Sequence, residues 1–573
     1  MISRLIWFLI CAISGALMVV CGLVVPAHLR AVDACVLQQA GHNTPALVEQ
    51  GLALVNQNKL GAAQLLLRAG QAEGLPDRQR LGLAVTNSAA QHPGWLVWGG
   101  GDARLERLFS SDAGLPKSGS EPVTDFIVRE ENRSVILELL RSSALPAVQE
   151  LLRCRALTNT VVFSPSQSAS GQALDTALGL CGLLLEAGHL SSGLSDAVFR
   201  LASASNRGGD PQRLEQALLD VMSLGQRFNW GQLVEFVRPV QDTETLRLLA
   251  NLARTSDRDL PVLFAAVQLS GKPAQVASYL MSFSRTGMKD LGASLRFGAG
   301  GVNELLQRNL RLHDSRFFPQ AQAPAQSPFG AILSAASEFC WRTPRLGLTM
   351  KWLLYLAGGF LLAAAVHFAR PAASELERPL QVRGFHMARE FLFALGFLVV
   401  VLLLSEPFLA QDSQKVEFPF RLRLPMVGSV VQAGTSIVNR SIMNQLSLLT
   451  LLLFFVLQGL LYTACLVKLA EIRRQNLPSR IKLKLLENED HLFDAGLYLG
   501  FAGTIISLIL VSLGVIQPSL MAAYSSTSFG IIFVSVFKIF HLRPARRKLL
   551  LEAEAAPVES RTPLMTPRLA TPS

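Results

Sequence analysis

Polar side chains lie inside some of the most apolar stretches of this sequence. The run LYLGFAGTIISLILVSLG, residues 497–514, contains Thr504 and Ser507, and the next run, SLMAAYSSTSFGIIFVSVF, contains Thr527. A hydroxyl in a membrane helix can bond to a nearby backbone carbonyl while its small side chain lets helices pack, or it can hold water or a partner's carboxylate on a polar path. The chemistry expected here is therefore hydrogen bonding within lipid.

The spacing of Thr504 and Thr527 places their hydroxyls at similar depth if the chain turns near Gln517. Thr504 lies about 13 residues before that point and Thr527 about 10 after it, which at roughly 1.5 Å per residue puts them within about 5 Å in height. Both hydroxyls can then face one polar path. Gln458, in the middle of an earlier apolar run, is expected to form an interhelical hydrogen bond.

Other chemistry-bearing residues form no recognisable motif. The histidines of residues 27–345 are scattered outside nucleophile, metal and phosphate motifs, so we expect surface or turn positions for them; they are His28, His42, His92, His189 and His313. The glycine-rich GWLVWGGGD, residues 94–102, lacks the context of a phosphate loop, and core or interfacial packing explains Trp95 and Trp98 better than a recognition patch does. We expect no catalytic residue, no metal site and no cofactor, and we do not expect an enzyme.

Seven cysteines are divided between two parts of the chain. Cys11, Cys21 and Cys465 lie in apolar runs and are expected to pack there. The other four lie in a segment that we place in a compartment permitting disulfides, and the sequence leaves two disulfides and four buried thiols as open alternatives; they are Cys35, Cys154, Cys181 and Cys340.

Composition indicates several membrane spans beside a soluble part. Hydrophobic residues make up 50% of the chain, charged residues 17%, and the mean hydropathy is +0.34. Six apolar runs are long enough to cross a hydrocarbon core of about 30 Å as helices: residues 5–25, 348–368, 391–410, 446–469, 495–516 and 520–540. The first run is longer than the apolar core of a signal peptide, which favours an uncleaved anchor, and Pro26-Ala27 leaves a cleaved signal as the alternative.

Loop charge predicts the orientation of these spans. Lysine and arginine concentrate in residues 370–389, 468–484 and 543–548, which belong on the cytoplasmic side. The uncharged turn at 515–519 and the segment 411–445 belong outside. The prediction is a multi-pass protein of the bacterial inner membrane with cytoplasmic N- and C-termini and a large periplasmic domain. Basic loops beside anionic lipid then explain the net charge of +11, and no nucleic-acid partner is expected.

The periplasmic segment has apolar residues at the three- and four-residue spacing of helices, without a dominant strand pattern. Residues 45–76 resemble one tetratricopeptide unit, because Leu47, Gly51, Leu54, Ala63 and Leu67 occupy packing positions of that repeat. Further helix pairs follow without a strict period. We predict an irregular α-solenoid that binds a periplasmic protein or peptide.

The expected fold class is all-α, a polytopic helical membrane protein with a large extracytoplasmic α-solenoid-like domain. The segment 411–445 ends in an apolar helical face too short to span and is expected to lie at the outer interface. The predicted parts are an N-terminal membrane anchor at 1–26, the periplasmic helical domain at 27–345, a transmembrane helix pair at 346–410, the interfacial segment at 411–445, a three-helix membrane region at 446–545 and a disordered cytoplasmic tail at 546–573.

The last two apolar runs resemble the final spans of the MotA/TolQ/ExbB proton channel family. The matching residues are Leu499-Gly500-Phe501-Ala502-Gly503-Thr504 and Ala523-Tyr524-Ser525-Ser526-Thr527-Ser528-Phe529-Gly530. The resemblance covers roughly residues 446–540. It implies that Thr504 and Thr527 line a pore, with Ser507 and Gln458 as further candidates. It also implies close helix approach at Gly500, Gly503 and Gly530.

The resemblance also implies partners. Such subunits form a homo-oligomeric ring in the lipid around the helices of a single-span partner of the ExbD/TolR/MotB type, whose aspartate carries the proton. The expected function is therefore a subunit of a proton-motive-force-coupled channel or energy-transducing complex with a protein-binding periplasmic domain. The alternative is a membrane-anchored α-solenoid scaffold or envelope-assembly protein without ion conduction, in which the hydroxyls and glycines only pack.

Overall fold

The computed structural model describes residues 2–93, 95, 98–102, 121–168, 170–313, 328–369, 385–408, 445–512 and 520–555. Over these residues the chain is predominantly helical with a single two-stranded sheet, which confirms the all-α expectation. The chain divides into two compact units, one formed by Pro26–Gly347 and the other by Met1–Val25 together with Leu348–Ser573. Of the predicted interfacial segment at 411–445 all but Gln445 lies outside the described residues, as does the turn at 515–519. Of the predicted disordered tail at 546–573, residues 546–555 are helical and the rest lies outside the described residues.

Short helices and two three-residue strands build the unit Pro26–Gly347. After α1 (Ile2–Val24), the elements are β1 (Ala31–Asp33), α2 (Ala34–Gly41), α3 (Leu47–Asn56), α4 (Leu60–Ala72), α5 (Arg78–Gln91), α6 (Val123–Ile127), α7 (Glu130–Arg141), α8 (Pro146–Arg153), α9 (Gln172–Glu186), α10 (Ser192–Asn206), α11 (Gln212–Gly225), α12 (Trp230–Val237), α13 (Thr243–Thr255), α14 (Leu260–Ser270), α15 (Pro273–Ser294), α16 (Gly298–Arg308), β2 (Arg311–His313) and α17 (Pro328–Arg342).

Polar caps determine where several of these helices begin. The Asp33 carboxylate accepts a hydrogen bond from the Cys35 N–H at 3.0 Å and caps α2. Asn229 and Gln232 form a reciprocal capping box at the start of α12, and the Asp242 side chain caps α13. Each cap satisfies a backbone N–H that has no partner within the first helical turn. The helix starts therefore follow from local sequence.

Helices that are neighbours in the chain pack as pairs. α3 and α4 lie on the tetratricopeptide-like segment, and Leu47, Leu54 and Ala63 are buried between neighbouring helices. A methyl group at Gly51 would lie 2.6 Å from Cδ2 of Leu81, so the glycine lets α5 pack directly on α3. The close contact with Leu81 thus explains why this helix crossing needs a small residue.

Helices far apart in the chain also pack against each other. α2 contacts α16 and α17, and α4 contacts α12 and α14. A methyl group at Gly41 would collide with the Phe297 carbonyl, and one at Gly300 would collide with the Ala40 carbonyl, so the two backbones touch. In an open solenoid each unit contacts only its neighbours. The contacts between first and last helices instead close this unit around one core.

The interior of this unit is apolar, with aromatic rings and thiols at its centre. Phe236 lies between Phe228 and Phe264, with ring centroids 5.0 and 6.1 Å away. All four cysteines of the unit are buried, and none of these described residues is in a disulfide. Of the two alternatives that the sequence left open, the structure contains the thiols. Burial raises the pKa of Cys154 and of Cys181 to about 12, so both are protonated and unreactive in the folded state.

Long apolar helices, together with shorter helical segments, make up the second unit. Beside α1 they are α18 (Pro344–Ala369), α19 (Phe385–Ser405), α20 (Gln445–Arg474), α21 (Ser479–Asn488), α22 (Asp490–Phe493), α23 (Ala495–Ser512), α24 (Leu520–Phe537), a π-helical turn (Lys538–Leu542) and α25 (Arg543–Ala555). Four stretches of the described residues are long and apolar enough to cross a membrane: Arg4–Val24, Pro344–Val366, Leu451–Arg474 and Tyr524–Glu554.

These four helices correspond to the first, second, fourth and sixth predicted spans. The third and fifth correspond to α19 and α23, whose described apolar stretches, Glu390–Ser405 and Ala495–Ile505, are shorter. The structure thus contains four apolar helices long enough to span a membrane, which is consistent with the expected membrane protein. Six spans remain a prediction.

Glycines let the first three long helices approach closely. A methyl group at Gly22 of α1 would lie 2.7 Å from the ring of Tyr355 in α18, and one at Gly359 of α18 would lie 2.8 Å from the ring of Phe397 in α19. Gly15 likewise places α1 against the backbone of α18. Small residues at crossings are the usual means by which membrane helices pack.

Candidate functional site

The glycines of α23 and α24 bring the two backbones into contact. A methyl group at Gly500 would lie 2.7 Å from the Ser526 carbonyl oxygen, and one at Gly530 would lie 2.6 Å from the Gly496 carbonyl oxygen. Gly503 faces Phe454 of α20, whose ring would lie 2.9 Å from an added methyl. Larger side chains at these positions would separate the helices, because the atoms they meet at Gly500 and Gly530 belong to the backbone.

Three hydroxyls meet at this contact, and we call Thr504, Ser526 and Thr527 the hydroxyl cluster. The Thr504 Oγ1 lies 2.6 Å from the Thr527 Oγ1 and 2.9 Å from the Ser526 Oγ. All three hydroxyl oxygens also lie within hydrogen-bond distance of the carbonyl oxygen of Gly500, at 2.9 Å for Ser526 and 3.2 Å for the two threonines. Each hydroxyl has one proton, which it donates either to this carbonyl or to another hydroxyl of the cluster. Ser526 is 0% exposed and Thr504 8%, so the cluster is a polar point inside an apolar helix pair.

Gln458 of α20 extends this polar region by one turn. Its Nε2 donates to the Gly496 carbonyl oxygen at 2.9 Å, which is the interhelical bond expected for this residue. Its Oε1 is buried and has no hydrogen-bond partner among the described atoms. Leaving a buried acceptor unpaired costs on the order of 1–3 kcal/mol, so this oxygen is available to a donor that enters the site.

The structure describes fewer contacts for the other serine residues of α23 and α24. Ser507 lies on α23, but its side chain is outside the described residues. Ser525 is 8% exposed beside the cluster, whereas Ser528 is exposed and its hydroxyl donates only to the Tyr524 carbonyl one turn earlier, at 3.0 Å. Of the four candidate pore-lining residues, the structure therefore brings Thr504 and Thr527 into direct contact and places Gln458, which lies on α20, against α23 and α24.

A buried ion pair lies elsewhere in the same unit. Lys351 of α18 and Glu406, directly after α19, are 3.6 Å apart, and their side chains are 1% and 0% exposed. Lys351 of α18 is therefore the ion-pair partner of Glu406. Opposite charges near the start of one apolar run and near the end of the next were the available signal. Charges buried at membrane depth are costly and usually serve a function.

Two ion pairs connect helical segments at the other end of this unit. Lys538 binds Asp494 at 2.7 Å, and Arg546 binds Asp490 at 2.9 Å. The Tyr462 hydroxyl lies 2.9 Å from Nε2 of His541. These ion pairs lie beside an apolar cluster formed by residues of α20, α21, α24 and α25. Lys538 and Arg546 are therefore both paired with carboxylates.

The histidine expectation also needs correction. His28, Asp33 and His313 form one cluster, with all potential ligand atoms within 4.8 Å of one another. Sequence reasoning missed it because the two histidines come from opposite ends of the unit and from no local motif. The core interpretation of Trp98 has support in its 8% exposure and in its edge contact with Phe126, with centroids 4.4 Å apart.

No family model matches this chain, and no curated protein and no solved structure matches it. The proposed function therefore rests on the residues of α23 and α24 and their contacts.

Proposed function

We propose that this chain is a multi-pass inner-membrane protein and a subunit of a proton-motive-force-coupled complex similar to the MotA/TolQ/ExbB type. Its six apolar helices span the membrane, both termini are cytoplasmic and Pro26–Gly347 forms a periplasmic domain. The four helices of spanning length support insertion, as do large exposed apolar side chains such as Leu404 at 83% and Phe501 at 63%. The basic loops support the orientation.

The hydroxyl cluster is the observation that carries the coupling role. A membrane helix pair needs only small residues to pack, yet α23 and α24 place Thr504, Thr527 and Ser526 around one carbonyl oxygen. Such a group of hydroxyls can exchange its mutual hydrogen bonds for bonds to water or to a carboxylate. The unpaired Oε1 of Gln458 adds an acceptor close by. A partner helix carrying a protonatable aspartate would find both donors and acceptors there.

The periplasmic domain supplies the surface that a partner protein would contact. A groove of about 870 Å³ runs between α10, α11 and α13. Its lining includes Arg200 and Arg213 beside the amides of Gln212 and Gln216. Asp220 and Glu244 also line it, and Glu244 is paired with Arg247. Arginine and amide groups recognise carboxylates and peptide backbones. We propose that the domain docks an acidic segment of a periplasmic protein or peptide here.

A second candidate function is a membrane-anchored scaffold or envelope-assembly protein without ion conduction. One observation favours it. Every hydroxyl of the cluster already has a partner within the chain, so packing alone can satisfy Thr504, Ser526 and Thr527. The periplasmic domain would then organise partners while the membrane unit only anchors it.

Isolation of the full chain from its native membrane in mild detergent distinguishes these functions. We expect several copies of the chain together with a protein that has one membrane span and an aspartate within it. Native mass spectrometry gives the copy number, and peptide sequencing identifies the partner. Recovery of a monomer without such a partner would contradict the coupled-complex proposal and leave the scaffold.

A further inference from the structure

Two strands place ligand-type side chains at one point of the periplasmic domain. β1 and β2 pair in parallel, and their register sets Asp33 directly opposite His313. His28 precedes β1, and its ring centroid lies 4.9 Å from that of His313. The Nε2 of His28 lies 3.5 Å from Oδ2 of Asp33, with side-chain exposures of 8% and 4%. His313 is half-buried, so one side of the cluster remains accessible.

The geometry is close to that of a metal centre. Zinc binds histidine nitrogen and carboxylate oxygen at about 2.0–2.2 Å, so tetrahedral ligand atoms lie about 3.4 Å apart. The ligand atoms of the cluster all lie within 4.8 Å of one another, and the His28–Asp33 pair is already at 3.5 Å. Side-chain rotations that close the remaining gap of about 1.4 Å at most would complete the coordination shell.

Asp33 is prepared for this role by its surroundings. Its Oδ1 accepts the Cys35 N–H at 3.0 Å, which fixes the carboxylate and leaves Oδ2 directed at His28. The carboxylate is therefore held in place beside His28. A hydrogen bond that orients a ligand in this way is typical of metal sites.

We propose that His28, Asp33 and His313 bind one divalent transition-metal ion of the zinc class. Two imidazoles and one carboxylate leave a fourth position for water or for a ligand atom from another molecule. The ion would tie β1, at the start of the periplasmic domain, to β2 near its end. Since the strands have only three residues each, the metal would hold the closure of the domain.

The test uses the full chain in detergent, purified without a histidine tag and stripped with a chelator. Zn²⁺ binding is measured by calorimetry, and Co²⁺ is used as a spectroscopic probe of tetrahedral nitrogen and oxygen ligands. We expect one ion per chain. His28→Gln and His313→Ala should each weaken binding at least about 100-fold, since losing a ligand exceeds the 10- to 100-fold effect of an outer-shell change.

Two further variants separate a metal site from a structural histidine–carboxylate pair. Asp33→Asn keeps the oxygen that caps α2 but removes the charge, so it should remain folded and still lose affinity. His42→Ala removes an exposed histidine whose ring bonds only locally to Asn43, and it should bind the ion like the native chain. Circular dichroism confirms the fold of each variant.

Absence of one-to-one binding by the native chain would overturn the proposal. Unchanged affinity in folded His313→Ala or Asp33→Asn would also overturn it, because the ion would then be held elsewhere. A loss of affinity in His42→Ala equal to that in His313→Ala would identify adventitious binding to surface histidines.

Discussion

Replacing Gly530 with alanine should loosen the contact between α23 and α24. The added methyl would lie 2.6 Å from the Gly496 carbonyl oxygen, a backbone atom that cannot rotate away. Atoms in ordinary contact are about 3.5 Å apart, so the helices must separate by up to about 0.9 Å. That movement stretches the two bonds from Ser526 and Thr527 of α24 to the Gly500 carbonyl of α23, which are now 2.9 and 3.2 Å.

The expected cost follows from three effects. Overpacking costs about 1–3 kcal/mol. Weakening two interhelical hydrogen bonds adds about 0.6 kcal/mol each. The higher helix propensity of alanine returns about 1 kcal/mol. Gly530→Ala should therefore lower the free energy of unfolding by about 2 kcal/mol.

The matched control is Gly459→Ala on α20. The nearest atom to its added methyl is Cδ2 of Leu392 at 3.8 Å, an ordinary contact, so this variant should be neutral or slightly stabilised. Both variants are titrated with SDS in mild detergent, and unfolding is followed by alkylation of the buried Cys465, read by mass spectrometry. Equal midpoints for Gly530→Ala and Gly459→Ala would refute the close helix contact.

Three other predictions test separate parts of the chain. Glu406→Gln should destabilise the membrane unit by about 3–5 kcal/mol in the same SDS titration, because it leaves Lys351 as a buried charge, and adding Lys351→Met should recover most of the loss. Burial raises the pKa of Glu73 above its ordinary value of 4.5, so the charged carboxylate lowers the stability of the folded state. Glu73→Gln should therefore be more stable than the native chain at a pH above the raised pKa of Glu73. The difference in stability should vanish below pH 4.5, as measured by urea unfolding over a pH series. Cys154 and Cys181 should resist alkylation at pH 8 until the domain unfolds; rapid labelling of either thiol in the native state would contradict their burial.

Helical periodicity and cap residues made much of the fold predictable. The pairs α3–α4 and α14–α15 arise from local signals, namely apolar spacing and short turns with glycine or proline. Counting residues from the turn placed Thr504 and Thr527 at a similar height, and their hydroxyls lie 2.6 Å apart. A helix fixes height along its axis through its rise per residue, so such an estimate needs no tertiary information.

Contacts between distant segments were not predictable from one sequence. Periodicity marks α2 as a helix but does not indicate that it packs on α16 and α17. The pairing of β1 with β2 brings His313 to Asp33 and His28, and six residues of strand carry no pattern that would predict it. Lys351 and Glu406 are likewise paired through the packing of their helices, which neither apolar run specifies.

The sequence does not distinguish between two functions of the hydroxyl cluster. The same residues, threonine and serine within apolar runs, occur where helices only pack and where hydroxyls line a conducting path. The structure adds a matched pair of controls. The hydroxyls of Thr463 and Ser528 lie on the same helices as the site but donate only to local carbonyls, those of Leu460 and Tyr524. Removing them changes side-chain chemistry as much as removing the cluster hydroxyls does.

Proton flux through the purified complex tests the coupling proposal most directly. The chain and its copurified single-span partner are placed in liposomes with a pH-sensitive dye inside, and a potassium diffusion potential drives protons inward. We expect flux above that of protein-free liposomes, its loss in Thr504→Val/Thr527→Val with assembly unchanged, and its retention in Thr463→Val/Ser528→Ala. Equal flux in Thr504→Val/Thr527→Val and the native complex, or no flux from the native complex, would contradict the proposal.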